Sequence, residues 1–266
     1  MSAAPEHPPL PSPRMNTSTS TSLRVPFLSA TLDLAQDPNS ANHGLCVWDA
    51  SLCLLRHLEA SPKEQAALRG ASVLELGAGT GVLALALAHA LQCSVVATDL
   101  PSVLPSLAAN LAANPLPPGA QGACTALAYA WDGTAAPEVL AASRGGEGFD
   151  WIVGTDVAYS ETLNETLLRT AAAYARALPP ERGRATVLLV NELRCEVAQG
   201  VFDAVAPTLF RVHRVPNRKL PVEFQACNFI MLRMTLKRLG GCGSGAGGGG
   251  GGGGEEEGEE EGSAVK

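Results

Sequence analysis

The residues Val73-Leu74-Glu75-Leu76-Gly77-Ala78-Gly79-Thr80-Gly81 carry an apolar run straight into a glycine-rich turn. The apolar helical pattern of Val82–Leu91 follows at once, which is the order of a buried strand, a tight turn and a helix. Glycines in such a turn let a ligand approach the backbone, because no Cβ stands in the way. Unpaired N–H groups of the first helical turn face the same space. We therefore expect a ligand site at the carboxyl end of this strand.

The spacing of the glycines narrows the choice of ligand. A dinucleotide-binding turn reads G-x-G-x-x-G, and Val82 occupies the position of its third glycine. A phosphate-binding P-loop is excluded because no Gly-Lys-Ser/Thr follows. The pattern here is Glu75-x-Gly77-x-Gly79-x-Gly81, and a turn with a purely structural role remains an alternative at this point.

An acidic residue, Asp99, ends the next apolar run, Val95–Thr98, about 20 residues after the glycines. A carboxylate at that strand end can accept hydrogen bonds from both hydroxyls of a ribose. The alternative is a helix N-cap ahead of Pro101. The glycine turn upstream favours the ribose interpretation.

Short apolar runs alternate with helical patterns along the chain, which predicts an α/β fold with a doubly wound, mostly parallel sheet. No long helix separates the last two runs, so we expect them to form an antiparallel pair at one edge. The predicted strands are Val73–Leu76, Ser94–Thr98, Ala123–Tyr129, Trp151–Thr155, Ala185–Val190, Leu209–Val215 and Ala226–Leu236. The predicted helices are Val82–Leu91, Val103–Ala113, Leu163–Leu178, with a capping box at Thr162 and Glu165, and Val197–Val205.

Both ends of the chain differ in composition from its body. Residues 1–23 are rich in Pro, Ser and Thr, and residues 240–266 are a glycine run followed by a glutamate block. Neither end has the apolar surface to offset the entropy of ordering. We expect disorder at both ends around one domain at residues 24–239, with an organelle transit peptide as the alternative for the first segment.

Composition excludes several classes of function. The net charge is −7, and the tail supplies most of it, so the body lacks the basic surface that grips nucleic acid. No apolar run is long enough to span a bilayer. Seven scattered cysteines without a C-x-x-C pair, and histidines without ligand spacing, disfavour disulfides and metal sites. We expect a monomer in the reducing cytoplasm, with the nucleus or an organelle as alternatives.

Several motifs together resemble the family 16 methyltransferase-like protein lysine methyltransferases. Their order and spacing carry the resemblance from Gly44 to about Arg233. They are Gly44-x-x-Val47-Trp48-x-Ala50, Glu75–Gly81, Thr98–Pro101 leading to Leu107 and Asn110, Trp131-Asp132, the run from Asp150 to Tyr159, and Asn191-Glu192-Leu193-Arg194. The resemblance implies a seven-stranded, Rossmann-like fold and S-adenosylmethionine as cofactor.

The resemblance also implies roles for single residues. Trp48 would lie beside the cofactor, the loop with Glu75, Gly77, Ala78 and Gly79 would line its methionine end, and Asp99 would hold its ribose. Trp131 would pack on the adenine and Thr155 would add a contact. Both tryptophans are equally suited to the core of a domain, and Thr155 to the end of a strand.

Asp156-Val157-Ala158-Tyr159 matches a D-x-x-Y motif that, by the same resemblance, orients the acceptor amine. A neutral amine must line up with the S–CH₃ bond, which is an effect of proximity. The alternative roles are a loop cap for Asp156 and packing for Tyr159. No proline lies between them, which disfavours the Asn/Asp-Pro-Pro-aromatic pattern of amide and adenine methyltransferases.

The predicted function is S-adenosylmethionine-dependent methylation of a protein lysine. A chaperone, an elongation factor or an AAA ATPase is the implied kind of substrate. Two alternatives stay open. One is transfer to another nitrogen, in a small amine, a protein N-terminus or a histidine, and the other is a non-catalytic binding protein that retains the fold.

Overall fold

The computed structural model describes residues 20–237. Its strands are β1 (Ser22–Phe27), β2 (Ala30–Ala35), β3 (Ser72–Leu76), β4 (Ser94–Asp99), β5 (Ala123–Ala128), β6 (Trp151–Thr155), β7 (Thr186–Glu192), β8 (Phe210–Arg214) and β9 (Phe229–Leu236). Its helices are α1 (Asp49–Glu59), α2 (Pro62–Leu68), α3 (Val82–Leu91), α4 (Leu104–Ala113), α5 (Pro137–Ala141), α6 (Asn164–Ala177), α7 (Glu196–Leu209) and α8 (Val222–Gln225). Within these residues no helix is both long and apolar enough to cross a membrane.

Seven strands form one sheet in the order β5-β4-β3-β6-β7-β9-β8. The first five of these run parallel, and β9 is antiparallel to both of its neighbours, β7 and β8. The predicted α/β fold with an antiparallel edge pair is confirmed. Strands β8 and β9 run antiparallel because the short α8 between them does not provide the crossover that parallel strands need.

Helices cover both faces of the sheet, which explains why β3 and β6 are buried along their whole length. Alternate residues of β3 enter different cores, since successive side chains point to opposite faces. Val73 packs with α1, α2 and α3, whereas Leu74 and Leu76 pack with α6 and α7. The strand order reverses at β3, with β4 on one side of it and β6 on the other. Ligands of such sheets bind at the carboxyl ends of the strands at this point.

A hairpin of β1 and β2 was not predicted from the sequence. It packs its inward residues Val25, Phe27, Leu32 and Leu34 on the core beside α3. Its first residues, Ser22 and Leu23, pair with Ala35 and Leu34. The domain therefore starts before the predicted boundary at residue 24, and the predicted disorder of residues 1–19 and 240–266 falls outside the described residues.

Two asparagine side chains, Asn110 in α4 and Asn114 directly after it, cover the free edge of β2. The amide of Asn114 accepts from Asp33 N at 2.9 Å and donates to Asp33 O at 2.8 Å. Asn110 does the same with Ala35 at 2.8 and 3.0 Å, and also donates to Thr80 O at 3.0 Å. Each amide thus makes the pair of backbone hydrogen bonds that a neighbouring strand would make. These bonds protect a sheet edge that would otherwise be exposed.

The predicted capping box at Thr162 and Glu165 is wrong. Helix α6 begins at Asn164, and its N-cap residue Leu163 makes no side-chain capping bond. Instead the Ser160 hydroxyl accepts from Leu163 N at 3.3 Å. Asn164, the first residue of α6, is buried and donates to Ala198 O of α7 at 2.8 Å, so a contact with the neighbouring helix holds the start of α6.

We expect Asn110→Ala to lower the free energy of unfolding by about 2–4 kcal/mol, because it leaves several buried backbone groups without partners. Asn110 is 1% exposed. Chemical denaturation measures the loss, with the exposed Asn39→Ala as the matched control. Equal stability of the two variants would contradict the role of Asn110 in holding the hairpin.

Candidate functional site

A cleft of about 730 Å³ opens where the carboxyl ends of β3, β4, β6 and β7 meet the segment before α1. This volume suits a small organic ligand. Eight of the ten predicted site residues line the cleft. They are Trp48, Gly77, Gly79, Asp99, Trp131, Thr155, Asp156 and Tyr159.

The glycine turn after β3 forms one wall and leaves no room for side chains. Gly77 and Gly79 have φ values of +72° and +55°. A Cβ on Gly77 would lie 2.7 Å from Val157 Cγ1, and one on Gly79 would lie 3.0 Å from Gly44 O. The missing Cβ atoms therefore create both the turn and part of the ligand space.

Asp99 closes the glycine turn from the neighbouring strand. Its carboxylate accepts from Gly79 N and from Leu100 N, each at 2.7 Å. Burial raises the pKa of this carboxyl, and the two backbone donors oppose the rise. Helix α4 begins later, at Leu104, so Asp99 is not its N-cap. The carboxylate lines the cleft and keeps acceptor capacity for a ligand hydroxyl.

Glu75 and Ala78 are the two predicted site residues that the structure does not place on the cleft wall. Glu75 is 1% exposed, and its carboxyl accepts from Ala84 N in the first turn of α3. The Ala78 N–H donates to Thr98 O at 3.0 Å. Both residues shape the turn from beneath, so their predicted contact with the ligand is corrected to support of the loop.

An apolar slot continues the cleft past the glycine turn. Leu100, Tyr129, Trp131 and Leu163 line it. The Tyr129 hydroxyl donates to Asp132 at 2.9 Å, and Asp132 also accepts from Thr134 N and Oγ1 at 2.9 and 2.8 Å. Asp132 therefore builds the turn that presents Trp131, which accounts for the acid beside this tryptophan.

The far end of the cleft contains Asp156, whose φ is +59°. Its Oδ1 accepts from Glu192 N at 3.2 Å, and its Oδ2 accepts from Arg194 at 2.7 Å. Burial raises the pKa of the Asp156 carboxyl, while the guanidinium of Arg194 lowers it. The carboxylate is thus held in a defined position at the cleft wall, in contact with a guanidinium.

Two residues that received no role from the sequence shape this end. The Asn191 side chain accepts from Val157 N and Ala158 N, both at 2.9 Å, which supports the turn after β6. Arg194 lines the cleft, and its guanidinium lies 4.7 Å from the centre of the Trp48 ring. Their sequence signal was the Asn191-Glu192-Leu193-Arg194 motif, which contributed to the family resemblance but assigned neither residue a role.

Helix α1 and the segment before it contribute to the cleft wall and are tied to β6. Trp48 precedes its first turn and donates from Nε1 to His43 O at 2.8 Å. Ser51 and Thr155 share a hydrogen bond at 2.7 Å, so the Thr155 hydroxyl is tied to the helix as well as facing the cleft. Thr155 therefore both ends β6 and contributes to the site wall.

Residues 27–194 match the model of a family described as lysine methyltransferase. Protein N-lysine methyltransferase METTL21A of Mus musculus is 36% identical over 144 residues, which are 54% of this chain and 61% of that protein. EEF1A lysine methyltransferase 3 of Mus musculus is 32% identical over 167 residues, 62% of this chain and 63% of that protein. The chain thus spans less than two thirds of the length of these relatives.

A solved methyltransferase structure from Pyrococcus furiosus aligns with 77% of this chain and 89% of its own, at 17% identity and a TM-score of 0.49.

We expect Glu75→Gln to gain stability relative to the wild type as the pH rises. Burial raises the Glu75 pKa well above its ordinary value. A raised carboxyl pKa means that the folded state binds the proton more tightly, so wild-type stability falls as pH rises above about 4.3. Glutamine keeps the acceptor for Ala84 N and never ionises.

Denaturation of the ligand-free protein at pH 5 and pH 8 measures the change, with the exposed Glu165→Gln as control. A gap between Glu75→Gln and wild type that stayed constant with pH would show that Glu75 titrates as an ordinary surface carboxyl does.

Proposed function

Because this chain belongs to the lysine methyltransferase family, we propose that it transfers a methyl group from S-adenosylmethionine to a lysine side chain of a protein. One observation carries the proposal. The Asp99 carboxylate, which holds the glycine turn from β4, and the residues Asp156 and Tyr159 line the same cleft. The cofactor half of the cleft, at the glycine turn and Asp99, therefore adjoins the acceptor half, at Asp156 and Tyr159.

The cleft fits the cofactor in shape and chemistry. The bare backbone at Gly77 and Gly79 would accommodate its methionine part, because a Cβ would fill that space. Asp99 would accept from the ribose hydroxyls, and the slot beside Trp131 would take the adenine between apolar walls. When bound, the cofactor supplies a methyl group made electrophilic by a sulfonium.

The acceptor half supplies groups that orient an amine. Tyr159 is 56% exposed at the mouth of the cleft. Partial burial of its phenol and the negative charge of Asp99 raise the Tyr159 pKa, so the phenol is neutral near pH 7 and both donates and accepts. Its hydroxyl and the Asp156 carboxylate can align an incoming nitrogen, which lowers the entropic part of the barrier.

The proposed acceptor is a protein, and the first candidate is the elongation factor for which one relative, EEF1A lysine methyltransferase 3, is named. Chaperones and AAA ATPases are further candidates from the resemblance alone. The cytoplasm remains a prediction that rests on the unpaired cysteine pattern.

We expect the full chain to label a protein band when it is incubated with tritiated S-adenosylmethionine and either EEF1A or heat-treated cell extract. Amino-acid analysis of the band should give methyllysine. Calorimetry should show the cofactor or its demethylated product binding in the micromolar range, at about −8 kcal/mol, and NAD should not compete. Methylhistidine, or label in small amines alone, would point to the other nitrogen acceptors, and cofactor binding without any transfer would point to a binding protein.

Two substitutions should separate cofactor binding from transfer. Asp99→Asn should weaken binding of the demethylated cofactor by about 10- to 100-fold, because it removes a charged hydrogen-bond acceptor. Tyr159→Phe should leave binding within about twofold and slow single-turnover transfer by about 10- to 100-fold. Asp203→Asn on the exposed side of α7 is the control. The assignment is wrong if Tyr159→Phe loses affinity and transfers at the wild-type rate once saturated.

A further inference from the structure

The guanidinium of Arg194 is the centre of a charged cluster at the acceptor end of the cleft. It donates at 2.7 Å to Asp156 and at 2.7 Å to Glu192, and it lies over the Trp48 ring at 4.7 Å. The Asp156 side chain is 3% exposed, whereas that of Arg194 is 37% exposed. The cation thus shields a buried carboxylate from one side and reaches the cleft on the other.

The Asp156 backbone has few ways to move. Its N–H donates to Val190 O at 2.8 Å, and its left-handed φ is uncommon for a non-glycine residue. The side chain is held at both oxygens, by Glu192 N and by Arg194. The Arg194 contact is the one that also cancels the charge of the carboxylate.

Other ionisable groups face the same space. Asp99, His43 and Tyr159 line the cleft, and Glu192 shares the Arg194 guanidinium with Asp156. Without Arg194, Asp156 and Glu192 would be neighbouring carboxylates with no guanidinium between them, and Asp156 lines the cleft. A carboxylate within about 4–6 Å of an amine raises the pKa of that amine.

We propose that Arg194 is a positioning residue that holds Asp156 toward the acceptor amine and neutralises its charge, so that the amine is oriented without being kept as an unreactive ammonium. This inference rests on the proposed function. An acceptor lysine first gives one proton to water. Its nitrogen lone pair then forms the N–CH₃ bond as the S–CH₃ bond breaks, and the sulfonium becomes a neutral thioether.

The test compares the pH dependence of transfer in four variants with the wild type. Initial rates are measured from tritiated S-adenosylmethionine to heat-treated cell extract between pH 6 and pH 10. The variants are Arg194→Gln, Arg194→Lys, the double variant Asp156→Asn with Arg194→Gln, and Arg24→Gln. Arg24 is the matched control, because it makes the same 2.7 Å contact with an aspartate, Asp33, on the exposed hairpin.

For Arg194→Gln we expect the pH midpoint of the rate to rise by about 1 unit or more, and the rate at pH 7.5 to fall about tenfold or more as a result. Arg194→Lys should keep the wild-type midpoint because it keeps the charge. The double variant should be slow but should return to the wild-type midpoint, since the unbalanced carboxylate is gone. Arg24→Gln should match the wild type.

Thermal unfolding of the same ligand-free proteins gives a readout that needs no acceptor. In Arg194→Gln the buried Asp156 loses its cation, so its pKa rises further and stability should fall as pH rises. The melting temperature of Arg194→Gln should therefore drop below that of the double variant by more at pH 8 than at pH 5. A gap that did not grow with pH would show that Arg194 does not control the charge of Asp156.

A wild-type chain that binds cofactor and labels no protein would contradict the proposed function and this inference together. Wild-type transfer with an Arg194→Gln rate lowered equally at every pH would overturn the inference alone, since loss of structure moves no midpoint. An Arg194→Gln pH–rate profile identical to that of the wild type would also overturn this inference alone.

Discussion

The site depends on a backbone turn that only glycine residues can form without strain. Gly77, Gly79 and Gly81 all have positive φ after β3, and the turn is held both by its own Gly81 N–H to Ala78 O bond and by β4. Thr98 O accepts from Gly77 N and Ala78 N, and the Asp99 carboxylate accepts from Gly79 N. The same carboxylate that holds the turn thus faces the cleft, so the loop geometry and the proposed ribose contact depend on one side chain.

The acceptor half is built in the same manner from the next pair of strands. The turn after β6 is supported by Asn191 and Glu192 of β7 and by Arg194 beyond it. In both halves, the turn that follows one strand accepts or donates hydrogen bonds with residues of the neighbouring strand. The turn after β3 is bonded to β4, and the turn after β6 is bonded to β7. Ser51 of α1 is hydrogen-bonded to Thr155 at the end of β6, which ties this helix to the acceptor half.

Prediction from sequence was strongest where local patterns are long or strict. The strand, glycine turn and helix at residues 73–91 match the structure closely, as do β6 and α4. It failed for the β1–β2 hairpin, because this pair is short and is stabilised by amides from Asn110 and Asn114, more than 70 residues away in the chain. It also misassigned Glu75, since a strand pattern shows that a residue is near a turn but not whether its side chain lies above or below it.

The sequence by itself determined the α/β fold, the glycine turn and the residues at the carboxyl ends of the strands, because these follow from hydrophobic periodicity and from φ angles that few residues adopt. The tertiary structure alone decided which charges meet. Asp156 and Arg194 are 38 positions apart in the chain and lie at the ends of neighbouring strands, and Trp48, which precedes α1, contacts Arg194. Coulomb and cation–π interactions depend on distance in space, and sequence separation carries no information about that distance until the strand order is known.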